Sequence, residues 1–298
     1  GPGRVHRCAH GFRWVFIKKV VSADRLAVVV DIVYRNPDAY SGLILILATV
    51  FFSVQIYCDF SGYSDMAIGT ARIMGYDLMT NFRRPYFANS MADFWRRWHI
   101  SLSTWFRDYL YKPLGGNRVS RPLWIRNILA VFLLSGLWHG ANWTFVAWGA
   151  IHGLALIGGS LSMGIRTRFV EAIGLLRWPR VHHAVKVGTV ILITGSAWVF
   201  FRAQTLEEAI TILAGFFDMS SFSVATLWSL GLTRFEMATA LASLLLLFSV
   251  EAVQEFSPRS ALRLWSFRGM RWALYLAAFY GLVFFGVFGH LEFTYFQF

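Results

Sequence analysis

The stretch "IRNILAVFLLSGLWHGANWTFVAWGAIHGLALIG", Ile125 to Gly158, decides the fold. It holds no Asp or Glu, and Ile128 to Leu137 contains nothing more polar than Ser135. Thr144 to Leu156 is mostly aromatic and aliphatic. A helix that crosses a bilayer needs about 20 predominantly apolar residues, so Ile125–Gly140 and Trp143–Gly158 read as two crossings. They adjoin with almost no loop, which predicts a tight hairpin or one broken helix. Gly136 with Gly140, and Gly149 with Gly153, repeat a small-xxx-small spacing that lets another helix backbone come close. One residue is out of character: His139 sits within the apolar run.

Working outward, Ser41–Cys58, Ala184–Phe201, Phe235–Val253 and Arg271–His290 are further candidates, about six crossings in all. Composition agrees. The chain is 56% hydrophobic and only 15% charged, whereas soluble domains are about one quarter charged. The expected class is an all-α polytopic membrane protein. Net charge is +12, but the Lys and Arg fall between apolar stretches, where they face anionic lipid. Nucleic-acid binding is excluded on that pattern. Cys8 and Cys58 form no metal spacing, and Cys58 reads as a small buried hydrophobe. Segments too polar to cross plainly, Phe12–Val33, Met91–Tyr111 and Thr205–Phe217, are expected to be re-entrant or interfacial. The last of them has Thr205 as N-cap, with Glu207 and Glu208 in its first turn.

Basic residues give an orientation. The Gly62–Trp124 connection carries Arg72, Arg83, Arg84, Arg96, Arg97, Arg107, Lys112, Arg118 and Arg121. The Ser160–His183 and Ser257–Arg271 loops each carry four arginines, and all three regions read cytoplasmic. Arg202–Arg234, with Glu207, Glu208 and Asp218, reads as outside. The basic segment before Ser41 would then also fall outside, unless it is re-entrant or the first crossing is misplaced.

Ionisable side chains at membrane depth are costly and usually functional. On a continuous helix His139 shares its face with Ser135, Asn142 and Trp143. A neutral imidazole in such a narrow site can take a proton from a hydroxyl; the alternative is a core histidine bonded to a neighbouring helix. A second group is "ADFWRRWHISLSTWFRDYLYKPLGGNR", Ala92 to Arg118. Asp93 or Asn89 is expected to cap its helix. Trp95, Trp98, Leu102, Trp105 or Phe106, and Tyr109 then form one apolar stripe, with His99 beside it, one turn from Trp95 and Ser103. Asp93 and Arg97 can pair at i,i+4, and Pro113 with two glycines stops the helix. Arg96 and Arg97 can hold a phosphorylated donor or snorkel to headgroups.

A third group, "YCDFSGYSDMAIG", Tyr57 to Gly69, places Asp59 and Asp65 at the end of a crossing. Ser61 and Gly62 are expected to break it, with Asp65 capping the next helix and Asp59 free to orient a histidine or an arginine. His152, at i+4 from Trp148, reads as packing. His6, His10, His182, His183 and His290 suggest no role. No HExxH, GxSxG or P-loop occurs, and no spacing makes a metal site.

"DFSGYSDMAIG", "NFRRPYF", "FWRRWHISLSTWFRDYLYKPLGGNR", "GLWHGANWTFVAWGAIHG" and "FTYFQF" appear in this order. Together they resemble the bacterial branch of the membrane-bound O-acyltransferase family, most closely the members that acetylate alginate. The resemblance implies a ring of helices around a thinned core, with a donor tunnel meeting an acceptor funnel. It implies that His139 is the catalytic histidine and that His99 is the second polar position. The donor would be acetyl-CoA from the cytoplasm, and no tightly bound cofactor is implied. The acetyl group would pass to periplasmic acetyltransferase subunits and so to a polysaccharide acceptor, from a bacterial inner-membrane protein. His99 would orient the donor or stabilise the oxyanion, with Arg96, Arg97, Asp59, Ser103, Asn142 and Trp143 as donor- or substrate-binding candidates. Because the chain begins Gly-Pro-Gly and family members have more N-terminal crossings, residues 1–298 are expected to be a single domain without those crossings.

Cellulose, peptidoglycan and teichoic acid (by D-alanylation) are alternative acceptors. A different class, a proton-relaying transporter subunit, predicts carboxylates at midplane, and Ile125–Gly158 has none. A purely structural anchor for a periplasmic enzyme would not need two histidines in aromatic-lined segments.

Overall fold

Helix is the only regular structure among the residues described by the computed structural model, which are 18, 23–40, 42–218, 224–257 and isolated positions between 269 and 286. The predicted Arg271–His290 crossing lies largely outside them. So do the "FTYFQF" terminus, Cys8, His6, His10, His290 and much of Phe12–Val33. The helices are α1 Asp24–Arg35, α2 Leu43–Met74, α3 Met91–Arg97, α4 Ile100–Phe106, α5 Arg121–His139, α6 Trp143–Leu161, α7 Met163–Ala172, α8 Pro179–Arg202, α9 Leu206–Gly215, α10 Val224–Trp228 and α11 Arg234–Phe256. Among the described residues four are long and apolar enough to cross a membrane: α2, α6, α8 and α11. The chain is therefore a polytopic, all-α membrane protein. The helix α5 has 19 residues but starts through Arg121, Arg126 and Asn127, and is not one of the four.

The chain divides into two compact units, residues 1–80 with 214–298, and residues 81–213. In the first, α1 packs on α2 and α11. The sequence expectation of an amphipathic segment holds here: Leu26, Val29, Val30 and Val33 form the buried face of α1. The predicted break at Ser61–Gly62 is absent, and α2 runs unbroken to Met74. A glycine inside a helix costs only about 1 kcal/mol against alanine, which a helix of 32 residues absorbs. Asp65 consequently caps nothing and instead pairs with Lys18 at 3.4 Å. The helix ends at Gly75, whose φ of +96° suits the left-handed cap while Tyr76 N–H closes back on Ala71 O at 2.9 Å. Cys58 is wholly buried, as expected of a small hydrophobe.

In the second unit α5 and α6 form an antiparallel hairpin, which resolves the choice left open by the sequence. Gly136 and Gly149 make it possible. A Cβ on Gly136 would lie 2.2 Å from Phe145 O, and one on Gly149 2.2 Å from Phe132 O. The backbones thus touch where side chains are missing. Asn142 caps α6, accepting from Thr144 N–H at 3.1 Å, and its amide donates to Gln204 O at 2.9 Å. The α5–α6 turn and the end of α8 therefore lie together. The helix α6 packs on both α8 and α3.

The expected single helix over Met91–Tyr111 is a correction. It is broken at Trp98–His99, with Trp98 extended and His99 left-handed at φ +43°. Its cap is Ser90, which accepts from Asp93 N–H at 3.1 Å, while the Asp93 carboxylate accepts from Asn89 N–H at 3.3 Å. A hydroxyl on an extended residue reaches the third helical N–H, the geometry of a serine N-cap. The break is held from outside the helix: Arg83 N–H donates to Arg97 O at 2.9 Å and Ile100 N–H to Asn81 O at 3.0 Å. Two hydrogen bonds to the 81–84 strap outweigh the roughly 1–2 kcal/mol of a left-handed residue. With the helix broken, no continuous apolar stripe exists. Trp98 is buried, whereas Trp105 and Tyr109 are exposed. The Asp93–Arg97 pair forms as expected at 3.0 Å, and so does the cap at Thr205, which accepts from Glu208 N–H at 3.1 Å.

Candidate active site

His139 is the last residue of α5, so the shared face predicted for Asn142 and Trp143 does not exist. Gly140 ends the helix, Asn142 serves as a cap, and Trp143 is 73% exposed. Ser135, one turn earlier, is buried. The imidazole instead meets aromatic rings edge to face: Trp138 at 5.0 Å, Trp148 at 5.1 Å and Phe201 at 5.0 Å between centroids. Three helices thus build its wall, α5, α6 and α8. The hairpin glycines bring Trp148 to it, because the close backbones put the start of α6 opposite the end of α5.

His99 comes from the break between α3 and α4 and is 8% exposed. Its ring meets Trp138 edge-on at 6.2 Å and stacks on Phe82 at 6.5 Å. Trp138 therefore touches both imidazoles, and the two histidines singled out in the sequence meet in one place. Burial, with His139 close by, pushes the His99 imidazole below its ordinary value. It is a neutral ring at physiological pH.

The remaining candidates divide. Ser103 N–H donates to His99 O at 3.0 Å and its hydroxyl to Trp98 O at 3.3 Å, so it braces the break. Arg97 is held by Asp93, while Arg96 is exposed. Asp59 is wholly buried in α2 of the first unit. Among the described residues no three His, Cys, Asp or Glu gather as metal ligands would. His152 is buried in an aromatic box with Trp95 at 5.0 Å and Trp148 at 4.9 Å, in keeping with packing.

Sequence reasoning missed Asn81, whose side-chain oxygen holds His99 and Ser101. Its "NFRRPYF" stretch carries resemblance, but no spacing rule links positions 81 and 99. Phe201 was passed over as an ordinary apolar residue near the end of a crossing.

The profile described as MBOAT, membrane-bound O-acyltransferase family, matches residues 6–202. The chain is 44% identical over 229 residues to a probable alginate O-acetylase AlgI of Pseudomonas fluorescens, covering 75% of this chain and 43% of that protein. It is 40% identical over 211 residues to a peptidoglycan O-acetyltransferase of Helicobacter pylori, covering 70% and 38%. With a teichoic acid D-alanyltransferase of Bacillus subtilis it shares 35% identity over 113 residues, covering 35% and 28%. Less than half of each of these relatives is thus matched.

Proposed function

The chain belongs to the membrane-bound O-acyltransferase family, and from that premise we propose that it transfers acetyl groups from cytoplasmic acetyl-CoA toward hydroxyls of an exported, alginate-type polysaccharide. The observation that carries this reading is the pair of imidazoles on one indole, His99 and His139 on Trp138. It is a multi-pass protein of the inner membrane. Periplasmic acetyltransferase subunits finish the transfer to the polymer, and residues 1–298 act as one family domain.

His139 takes the proton of the acceptor hydroxyl as the oxygen attacks the thioester carbonyl. The C–S bond then breaks, and the proton passes from His139 to the leaving thiolate, so that an ester and a free thiol result. Aromatic walls suit this chemistry, since they exclude water that would hydrolyse the thioester. His99 orients the acetyl donor, and Arg96 and Arg97 meet the coenzyme phosphates. Ser103 supports His99, and Asn142 and Trp143 shape the far mouth.

In this reading α5 is a fifth crossing beside the four. The 81–111 segment is re-entrant. The helix α5 rises about 1.5 Å per residue, so His139 lies roughly 27 Å from Arg121. A bilayer core is only about 30 Å thick. A cytoplasmic segment that brings His99 to Trp138 has therefore entered the membrane.

The assay uses labelled acetyl-CoA with the purified chain and a hydroxyl acceptor. General base work is worth about 10²–10⁴-fold, and His139→Ala loses at least that much. Retained transfer by a well-folded His139→Ala protein rejects the assignment. The 40% identity to a peptidoglycan O-acetyltransferase makes peptidoglycan the second acceptor to supply. Preference for it over alginate would move the substrate while leaving the chemistry in place.

A further inference from the structure

Asn81 Oδ1 lies 3.1 Å from Ser101 N, 3.0 Å from the Ser101 hydroxyl and 3.3 Å from His99 Nδ1. A backbone N–H can only donate. The atom facing it is thus the amide oxygen, and the backbone fixes the orientation of the Asn81 side chain. An amide oxygen can only accept. Nδ1 of His99 therefore carries the proton in this bond. The Ser101 hydroxyl is compatible with this assignment. With its hydrogen on Asn81 at 3.0 Å, its oxygen accepts from His99 Nδ1 at 3.4 Å. In a neutral imidazole with a proton on Nδ1, the lone pair is on Nε2.

We propose that Asn81 is a positioning residue that fixes His99 as the Nδ1–H tautomer, so that His99 meets the bound substrate through an accepting nitrogen, Nε2. The inference rests on His99 taking part in the transfer described above, and it narrows what His99 does there. A neutral Nε2 has no hydrogen to give a developing oxyanion. It accepts from an N–H or O–H of the substrate, which orients that substrate without contributing charge. Asn81 adds a second restraint through its own carbonyl, which takes Ile100 N–H at 3.0 Å and holds the backbone of the break. The titratable group that acts on His99 is His139, across Trp138. On the preceding helix Asp93 is paired with Arg97.

The test is nitrogen-15 NMR of the full chain labelled at histidine, with the His99 signal assigned by its loss in His99→Gln. The expected spectrum has the proton on Nδ1; a proton on Nε2 overturns the proposal. Asn81→Asp supplies the functional readout. Aspartate keeps an oxygen for Ser101 N–H and its hydroxyl, so the break stays closed, but its carboxylate favours the imidazolium. An opposite charge at hydrogen-bond distance raises a titration by about 1–3 units, so the His99 titration and the acid limb of kcat/KM both move up by that order. An unmoved titration with an unmoved acid limb overturns the proposal. A merely structural Asn81 would change stability and leave that limb in place. The NMR assignment needs no turnover. Retained transfer in His139→Ala would therefore sink the functional reading and leave the tautomer to stand or fall by itself.

Discussion

His152 is wholly buried on α6, with Phe94 stacked on it at 6.1 Å and the edges of Trp95 and Trp148 at 5.0 and 4.9 Å. Neither of its ring nitrogens reaches a hydrogen-bond partner among the described residues. What it supplies is therefore a flat ring of the right size. His152→Phe removes two unpartnered nitrogens but enlarges the ring, so it should cost at most about 1–3 kcal/mol of overpacking, read as a small drop in the thermal midpoint in detergent. His152→Ala should cost roughly 2–5 kcal/mol through the cavity it leaves. If Phe is as damaging as Ala, a nitrogen of His152 has a use that packing does not explain. His99 differs, because its ring nitrogen meets the Asn81 side-chain oxygen at 3.3 Å. Burial holds it below its ordinary value, while an unfolded histidine titrates near about 6.5. Above that pH neither state binds the proton and stability is full. As pH falls through the window between about 6.5 and the lowered folded value, the unfolded chain binds a proton that the folded one refuses, and stability declines. Melting of the purified protein across this range should show the loss, and His99→Gln should lessen it. Both histidines could be picked out in the sequence as polar residues in aromatic surroundings. What holds His99 could not, because it depends on Asn81, eighteen residues away.

The α5–α6 hairpin is the element that most nearly wrote itself in the sequence. Glycines one helical turn apart announced a close approach, and the missing loop limited the partner to the neighbouring helix. Gly136 and Gly149 carry that approach, with a carbonyl oxygen 2.2 Å from where each Cβ would be. Gly136→Ala or Gly149→Ala must push the helices apart, which costs about 1–3 kcal/mol or more and moves Trp148 off His139. Gly158 and Gly159, on the same helix α6, have open space around them. There alanine should stabilise by up to about 1 kcal/mol from helix propensity alone. Opposite shifts in melting temperature from the same chemical change, measured in one detergent, would tie the effect to backbone contact. Equal shifts would remove the hairpin's rationale. The break at Trp98–His99 was illegible for the converse reason. Its local sequence keeps helical spacing on both sides, and only the bonds from Asn81 and Arg83 make the left-handed histidine the better choice. The unbroken α2 was missed in the opposite sense, because Ser61 and Gly62 look like punctuation and are overridden by the length of the helix around them.

At the scale of the molecule the arginines order the crossings. The helix α7 lies between the crossings α6 and α8 and buries none of its residues. It carries Arg166 and Arg168, with Ile165, Phe169 and Ile173 exposed beside them. Such a mixture belongs at a headgroup layer, with basic side chains at anionic lipid and apolar ones below. The turn at the other end of α6 is joined to the end of α8 by the Asn142–Gln204 bond and carries far less positive charge. By the excess of Lys and Arg on cytoplasmic loops, α7 faces the cytoplasm and the 140–142 turn faces outward. This assignment bears on the proposed reaction, in which acetyl-CoA comes from the cytoplasm while His139 stands at the outward end of α5. In that proposal the thioester reaches inward past His99 to the indole of Trp138, which both imidazoles touch. Single cysteines at Thr167 and Ala141, placed in a chain whose own Cys8 and Cys58 are replaced by serine, test the sidedness with an impermeant thiol reagent. Thr167→Cys should label only after the membrane is opened, and Ala141→Cys in intact cells. The reverse pattern would put His139 near the cytoplasm, at the end from which the coenzyme enters. A base placed there would need no re-entrant 81–111 segment to bring His99 to it.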